Sequence, residues 1–446
     1  MAPAASRDAL SSASSTLQSE TSLQTLLAAA RPLLRAEHNS LDDKLPSLLS
    51  LLHSAGAGEC WHKHGTFVEH LYGTYRMLKL WGSPEAVCRC GLFHSTYSNA
   101  YVSLALFPHT ESSRAQLRAH LGPDAERLVH FFCSVPRQKL VFGRILMGYD
   151  SVGQIVEHLS ASQLSLRNAR EGIVVGGGGE SEAWREKLNS IVPEGGVTVE
   201  NIKTGEEFTL PRRIVALLLL FTLADFADEL FSFQDELYEN LDGRLDFSGN
   251  SATPLWPGAG KPGLWVNLIS RIAAIYNLLV REEEIFMEER RRSGGISVDK
   301  ERDEDIELVV PPIFDGWTKI VDAGDQVIAR DTYWEAVCGN ASQNNDCNDD
   351  KLDKAEELLV KSLEKNPFLG DPHLVLAQVY LSKGRFEAAE VAAEKGLKLL
   401  LEWGTAWDKR VSWEGWVAWG RVLVMKAKEK SWPKTSWGIR SLGLIR

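Results

Sequence analysis

Apolar residues recur at helical spacing through most of the first 290 residues of the chain. An amphipathic helix returns to the same face every three to four residues, so this period predicts helices that bury one side. Five stretches carry the period: Ser22–Leu52, Thr66–Trp81, Glu85–Ala100, Arg114–Phe132 and Ser151–Leu166. Two longer apolar helices are predicted further on, over Arg212–Asn240 and Leu264–Arg291. The pattern predicts an all-α domain over residues 21–290.

Two segments between these helices lack the helical period. Residues 195–210 alternate apolar and polar positions on both sides of Lys203-Thr204-Gly205, which predicts a small β-hairpin. Ahead of them, Gly176–Gly179 is a run of four glycines inside a polar stretch. So flexible a run predicts a surface insertion over about residues 170–196. The domain is therefore expected to be helical with a small β-hairpin insert.

A different pattern begins after residues 291–305, a charge-dense stretch that we interpret as a linker. Ala355 and Ala389 occupy equivalent positions in two units that are shifted by 34 residues. A 34-residue period with small residues where two helices cross resembles the tetratricopeptide repeat. Trp416–Leu423 resembles the opening of a further unit, displaced by a nine-residue insertion. We therefore predict a tetratricopeptide-like repeat domain over residues 306–446 that binds a protein partner.

The composition fits a soluble globular protein, with 44% hydrophobic and 24% charged residues. The net charge of −11 argues against partners such as nucleic acid or an anionic membrane, because a broad attraction to either needs a surplus of Lys and Arg. The 14 tryptophans are unevenly distributed. Those of the last quarter are predicted to be mostly core residues of the repeat domain: Trp334, Trp403, Trp407, Trp413, Trp416, Trp419, Trp432 and Trp437.

The cysteines and the apolar runs bear on the compartment. The six cysteines form no Cys-x-x-Cys pair, which is typical of reduced thiols in an intracellular protein. The most apolar run, Ile214–Ala224, is far shorter than the roughly 20 residues that a membrane span needs. Residues 1–20 are rich in Ser and Ala and predict a disordered tail or, alternatively, a weak organelle transit peptide. We expect a cytoplasmic protein, with a plastid or another organelle as the alternative.

Two histidines and an aspartate form a candidate metal site. His70 and His94 lie 24 residues apart in successive predicted helices, and imidazoles from neighbouring helices can share an ion in a bundle core. Asp225 lies near the end of the most apolar helix, where an unpaired charge costs several kcal/mol and a cation would offset that cost. The three residues form a two-histidine, one-carboxylate set that suits Fe(II) or Mn(II) and leaves coordination positions open.

These residues resemble the motifs of the HD metal-dependent phosphohydrolase superfamily. The similarity extends to the guanosine tetraphosphate hydrolase domain of the RelA/SpoT group. It rests on the spacing of His70 and His94, on the stretch Leu121–Val129 and on the Leu-Ala-Asp motif that ends at Asp225. The resemblance implies an HD-like helical bundle in which His70, His94 and Asp225 hold a divalent metal, Mn or Fe.

Two further motifs resemble an uncharacterised HD-like domain of plants and microbes: His70–Tyr75 and Gly91–Ser95. The whole resemblance covers roughly residues 50–165 and 205–285. It implies a phosphohydrolase that acts on a nucleotide or another phosphorylated small molecule. Basic residues around the predicted pocket either hold phosphate oxygens or form a solvated surface: Arg76, Lys79, Arg89, Arg137, Lys139 and Arg144.

The chain departs from the family pattern at three positions. Ser95 stands where the family has the Asp of the HD motif, and Ser98 and Asn99 stand where the hydrolase group has a Glu-Asp pair implicated in activating water. A hydroxyl is a weaker ligand than a carboxylate, and neither Ser nor Asn serves as a general base near neutral pH. His64 and Glu69, within two turns of the first ligand, are therefore the candidates for a catalytic base or a further ligand.

Other interpretations stay open. HD-fold oxygenases with iron exist, so the resemblance leaves the reaction type undecided. In another interpretation, His70, His94 and Asp225 hydrogen-bond one another in a metal-free core. The protein would then be a catalytically degenerate HD-like scaffold or adaptor that binds protein partners through its tetratricopeptide-like repeats.

Overall fold

The computed structural model describes residues 22–62, 65–173, 180–229, 266–292, 306–319, 322–338, 349–409 and 411–433. These parts of the chain are mostly helical and contain two small two-stranded sheets, which confirms the all-α prediction at this level. No helix within them is both long and apolar enough to span a membrane. Several predicted features lie outside the described residues: the tail, His64, the glycine run and residues 293–305 of the linker.

The N-terminal unit contains nine described helices before the β-hairpin, and the largely buried α4 and α5 pack against each other. The bounds of these helices are α1 (Leu23–Leu34), α2 (His38–Leu41), α3 (Leu45–Ser54), α4 (Phe67–Leu80), α5 (Glu85–Phe93), α6 (Glu111–Leu121), α7 (Pro123–Ser134), α8 (Val152–Glu171) and α9 (Glu180–Ile191). The single period over Ser22–Leu52 thus corresponds to three helices. A 3₁₀ turn, Ala57–Glu59, precedes α4, and a π-helix, Gln138–Leu146, follows α7.

Two antiparallel strand pairs interrupt the helices. β1 (Trp61–His62) pairs with β2 (Gly65–Thr66), directly before α4. The predicted hairpin is confirmed as β3 (Val197–Glu200) and β4 (Glu207–Leu210), in the register Val197 opposite Leu210. Gly196 at its base has φ +92°, and a Cβ there would lie 2.2 Å from the Leu210 carbonyl oxygen, so a side chain is excluded.

Two long apolar helices complete this half. α10 (Arg212–Asp228) is buried along its length, and α11 (Val266–Arg292) packs against it and against α8. The sequence predicted one helix over Arg212–Asn240, which is wrong in its end, because α10 ends at Asp228 with Glu229 as its C-cap. Residues 230–265 lie outside the described part of the chain. Arg212 pairs with Glu282 at 2.7 Å, which joins the start of α10 to α11 in a buried ion pair.

The C-terminal unit, α12 to α17, contains five successive helices, α13 to α17, that pack each against the next. Its helices are α12 (Ile313–Trp317), α13 (Ala323–Cys338), α14 (Asp349–Lys365), α15 (Gly370–Ser382), α16 (Phe386–Trp403) and α17 (Trp413–Lys428). Contacts run from α13 to α14, α15, α16 and α17 in order. Gly370 and Gly396 allow α15 and α16 to approach closely, since a Cβ on either would lie within 2.8 Å of the other's carbonyl oxygen. The tetratricopeptide-like architecture stays a prediction.

The helices on either side of residues 293–305 share one hydrophobic core. Trp81, the C-cap of α4, donates its Nε1–H to the Trp403 carbonyl at 3.1 Å, and the Trp317 ring lies edge-on to the Trp403 ring at 4.8 Å. A second cluster joins α1 to the C-terminal unit through Ala30 and Leu33. Most tryptophans of this region are core residues as predicted, namely Trp334, Trp403, Trp407, Trp413 and Trp416, while Trp437 lies outside the described residues.

Candidate metal centre

The first ligand candidate, His70, lies in the first turns of α4. The Thr66 hydroxyl accepts a hydrogen bond from the Glu69 backbone N–H, and the Glu69 carboxylate accepts one from the Thr66 N–H at 2.6 Å. Such a capping box starts the helix at a defined residue. The cap thereby fixes which face of α4 carries His70, and that face is buried against α5 and α10.

The second candidate, His94, follows the last residue of α5. Its Nδ1 lies 2.7 Å from the Gly91 carbonyl oxygen, so Nδ1 carries the proton and donates it. Nε2 is therefore left with a free lone pair that faces α4. Gly91 also allows the two helices to approach, because a Cβ there would lie 2.4 Å from Leu78 of α4.

The third candidate, Asp225, completes a triangle of ligand atoms. Its Oδ1 lies 3.3 Å from His70 Nε2 and 3.5 Å from His94 Nε2, and the two Nε2 atoms are 3.3 Å apart. Atoms at these separations can all lie about 2.0–2.2 Å from one ion, with angles near the tetrahedral value. The structure thus brings the three predicted ligands together, and all three are buried.

A fourth residue, Asp228, orients the first ligand. Its Oδ2 accepts a hydrogen bond from His70 Nδ1 at 2.9 Å, which leaves Nε2 free to face the triangle. A carboxylate on the far nitrogen of a metal-binding histidine is the usual arrangement. Asp228 fits only because residue 73 is glycine, since a Cβ on Gly73 would lie 2.3 Å from its Oδ1.

Arg137 holds the other side of Asp225. This buried guanidinium donates from one terminal nitrogen to Asp225 Oδ2 at 2.9 Å, and it lies over the Phe132 ring at 3.8 Å from the ring centre. Asp225 therefore directs Oδ2 to Arg137 and Oδ1 to the two histidines. The ion pair offsets the cost of burying this carboxylate.

The charges around the triangle favour a cation within it. Burial lowers the pKa of His70, but hydrogen bonds to Asp225 and Asp228 and the charge of Glu229 outweigh burial and raise that pKa to about 10. Burial raises the pKa of Asp225, but the interaction with His94, the hydrogen bond from His70 and the charge of Arg137 hold it well below its usual range. In the metal-free protein a proton on His70 therefore takes the place that an ion would occupy.

A second, less buried pair borders the triangle. His62 Nε2 lies 2.6 Å from Glu229 Oε1, and the same oxygen lies 4.0 Å from His70 Nε2. The side chains of His62 and Glu229 are 15% and 13% exposed, against 4% for His70, so solvent reaches the site from this side. These groups could bind an ion together with His70 or transfer a proton at its edge.

The residues that depart from the HD pattern hold the loop after α5. The Asn99 amide donates to the Ser95 hydroxyl at 2.7 Å, and Asn99 Oδ1 accepts from the backbone N–H of Tyr101 at 2.8 Å. Lys203 of the hairpin turn donates to the Tyr97 carbonyl at 3.0 Å and to the Ser98 hydroxyl. These side chains therefore hold the loop, and Asn99 Oδ1 also accepts a hydrogen bond from Arg137 at 3.4 Å, which links the loop to the partner of Asp225.

Of the two catalytic candidates, Glu69 is exposed and hydrogen-bonded within the cap of α4, and His64 lies outside the described residues. The proposed phosphate-binding basic residues also have protein partners. Their partners are Gly404 and Glu414 for Arg76, Glu85 for Lys79, Asp42 for Arg89, Asp225 for Arg137, Glu200 for Lys139 and Ile191 for Arg144.

The sequence patterns did not indicate roles for Asp228, Glu229 and His62, or the pairing of Arg137 with Asp225. A signal for two of them was present, because Asp228 and Glu229 follow Asp225 by three and four residues and so lie on the same helix face. His62 lies in β1, a short strand that no periodicity indicated. Arg137 carried no local signal, since its partner is 88 residues away.

A family model described as a domain of unknown function, DUF6817, matches residues 51–137. The matched segment includes His70, His94 and Arg137 and ends before Asp225. No curated protein and no solved structure matches the chain. The family match therefore covers two of the three candidate ligands and assigns no activity.

Proposed function

We propose that this protein is a metal-dependent phosphohydrolase of the HD type that acts on a nucleotide or another phosphorylated small molecule. His70, His94 and Asp225 would hold one divalent ion, Mn²⁺ or Fe²⁺, as a facial set with open positions. Such an ion lowers the pKa of a bound water and polarises a phosphoryl oxygen.

The observation that carries the proposal is the orientation of the three ligand atoms. Gly91 and Asp228 each accept the Nδ1 proton of a histidine, and Arg137 takes one oxygen of Asp225. Two nitrogen lone pairs and one carboxylate oxygen are left to face a common point, 3.3–3.5 Å from one another. When His70 Nε2 is deprotonated, three acceptors lie this close together and need a cation between them, so a metal ion can take the place of the proton that His70 otherwise carries.

The chain's own groups support hydrolysis around that ion. Arg137 neutralises Asp225 and keeps it in position, and Asp228 prevents rotation of the His70 ring. The hydrogen-bonded pair His62 and Glu229 holds a proton between Nε2 and Oε1 on the exposed side. This pair supplies the acid–base group that Ser98 and Asn99 do not provide.

Metal analysis combined with a hydrolysis assay tests the proposal. The full chain is prepared with Mn²⁺ and Fe²⁺ supplied and assayed for phosphate or pyrophosphate release from a panel of purine and pyrimidine nucleotides. We expect about one ion per chain and a release that a chelator abolishes. His94→Ala should lose both. Less than about 0.1 ion per chain in the wild type, or release that His94→Ala leaves unchanged, would overturn the proposal.

A second candidate function, binding of a protein partner by the C-terminal unit, rests on exposed apolar side chains. Val391 in α16 is 70% exposed and Met425 in α17 is 44% exposed. Each lies one turn before a member of the ion pair Glu394–Lys428, which joins the two helices at 2.8 Å, so both lie on one surface of the unit. Val391→Asp with Met425→Glu should abolish partner binding without loss of metal.

A further inference from the structure

The connection between α16 and α17, residues 404–412, contacts the helices that carry the metal ligands. All of this stretch except residue 410 lies in the described part of the chain. It is longer than the connections before α15 and α16, which have four and three residues. Its contacts with α4 and α10 lie beside the candidate metal centre.

One side of this connection is attached to α4. Arg76, which lies less than two turns after His70, donates Nε–H to the Gly404 carbonyl at 2.9 Å and pairs with Glu414 at 2.7 Å. Gly404 has φ +81°, and a Cβ there would lie 3.0 Å from Leu80 and 3.2 Å from the Met77 backbone. The connection therefore follows the surface of α4 at contact distance.

The other side is attached to the end of α10. Lys409 donates from Nζ to the Ala227 carbonyl oxygen at 3.1 Å and to the Thr405 hydroxyl. The last four carbonyls of a helix have no partner within it, and a cation there also interacts favourably with the helix dipole. Ala227 lies between Asp225 and Asp228, so Lys409 binds the turn that carries both carboxylates.

The charge of Lys409 also interacts with the charge of Asp228. Burial lowers the pKa of Lys409 to about 8, and the charge of Asp228 opposes this effect. Asp228 is thus close enough to interact with both His70 and Lys409.

We propose that Lys409 is a positioning residue of the metal centre, which fixes the last turn of α10 against α4 so that the three ligand atoms keep their separations. The consequence is that the C-terminal unit completes the site of the N-terminal bundle. The metal-binding part of this inference rests on the proposed function, whereas the positioning of Asp228 on His70 does not require a metal.

The test compares Lys409→Met and Lys409→Arg in the full chain. We expect Lys409→Met to weaken Co²⁺ or Mn²⁺ binding about tenfold. This is the lower end of the roughly 10–100-fold loss that follows removal of residues that support metal ligands. The visible absorption of the Co²⁺ protein should also change. Lys409→Arg keeps a donor and should bind within about threefold of the wild type. Lys428→Met, which removes an exposed lysine paired with Glu394, is the matched control and should have no effect.

A metal-free readout separates this inference from the proposed function. The His70 Nδ1–H resonance, assigned by its loss in His70→Gln, reports the hydrogen bond to Asp228. It should shift in Lys409→Met and stay unchanged in Lys428→Met. If the wild type binds no metal, the proposed function fails and this resonance alone decides the role of Lys409. If Lys409→Met does not fold, Thr405→Val, which removes one partner of Lys409, should cause a smaller shift. An unchanged resonance in the folded variant overturns the inference.

Discussion

Two pairs of histidines lie at hydrogen-bond distance in the part of the chain that the structure describes, and the charges around them are opposite. His70 and His94 are 24 residues apart in sequence, with their Nε2 atoms at 3.3 Å. His109 and His130 are 21 residues apart, with Nε2 and Nδ1 at 3.0 Å and their rings stacked almost parallel. Spacing and distance are therefore nearly the same in the two pairs.

The surroundings make the difference. Asp225, Asp228 and Glu229 approach His70 and raise its pKa to about 10 against the effect of burial. Burial, together with the charge of Arg114, lowers the pKa of His130 to about 4. The first pair attracts a cation, either a proton or a metal ion, and the second excludes one. A pair of nearby histidines is thus a candidate metal site only where carboxylates surround it.

The largest expected effect comes from removing one histidine of each pair. His94→Ala should weaken Mn²⁺ binding by more than about 100-fold, beyond the loss expected for a residue outside the ligand set. His130→Ala should bind as the wild type does, because Glu126, the carboxylate whose charge acts on both histidines of that pair, is paired with Arg114 and Arg118. Isothermal titration measures both. Equal losses in the two variants would remove the distinction between the pairs.

Gly73→Ala tests the carboxylate environment without changing a ligand. The added methyl group would lie 2.3 Å from Asp228 Oδ1 and must displace it from His70, so we expect metal binding about 10–100-fold weaker. Gly153→Ala, at a helical glycine where a Cβ meets only the Ser151 hydroxyl at 3.7 Å, is the control. Wild-type affinity in Gly73→Ala would show that Asp228 is not required.

The pH dependence of metal binding follows from the pKa of about 10 at His70. In the metal-free protein, His70 retains a proton on Nε2 at neutral pH, and an ion must displace it. Binding should release about one proton per ion, and affinity should rise about tenfold per pH unit until the pH approaches that pKa. Titration in buffers of different ionisation enthalpy measures the release. A metal affinity that is independent of pH between 7 and 9 would show that the ion does not displace a proton from His70.

The smallest effect concerns the stability of the second pair. The folded-state pKa of His130, about 4, lies below its ordinary value of 6.5, so the unfolded chain takes up a proton that the folded chain does not. Proton uptake by the unfolded chain therefore lowers the free energy of unfolding as the pH falls from about 6.5 to 4. In His130→Gln, the pH dependence of the free energy of unfolding, measured by urea denaturation, should decrease by the equivalent of up to about one proton. An unchanged slope would show that His130 titrates normally.

The sequence was most informative where a local pattern reflects a local cause. The alternation in residues 195–210 predicted the hairpin, and the apolar run in α10 predicted a buried helix with Asp225 near its end. The two histidines were found because each lies on a helix that the period had located. Their role as metal ligands stays a prediction.

What the sequence did not indicate depends on contacts between distant segments. Glu69 was expected near the metal, but its carboxylate instead accepts the Thr66 N–H in the capping box of α4. Arg137 was expected at a phosphate, yet its partner Asp225 lies 88 residues away. Lys409 reaches α10 across 182 residues. Such pairings follow from helix packing, which no periodicity reports.

Anomalous scattering from a crystal of the full chain grown with Mn²⁺ shows whether His70, His94 and Asp225 hold a metal ion. We expect one strong peak about 2.0–2.2 Å from His70 Nε2, His94 Nε2 and Asp225 Oδ1, and no peak between His109 and His130. A peak only at another position would contradict this expectation. So would the absence of a peak at saturating Mn²⁺, with the three atoms hydrogen-bonded to one another.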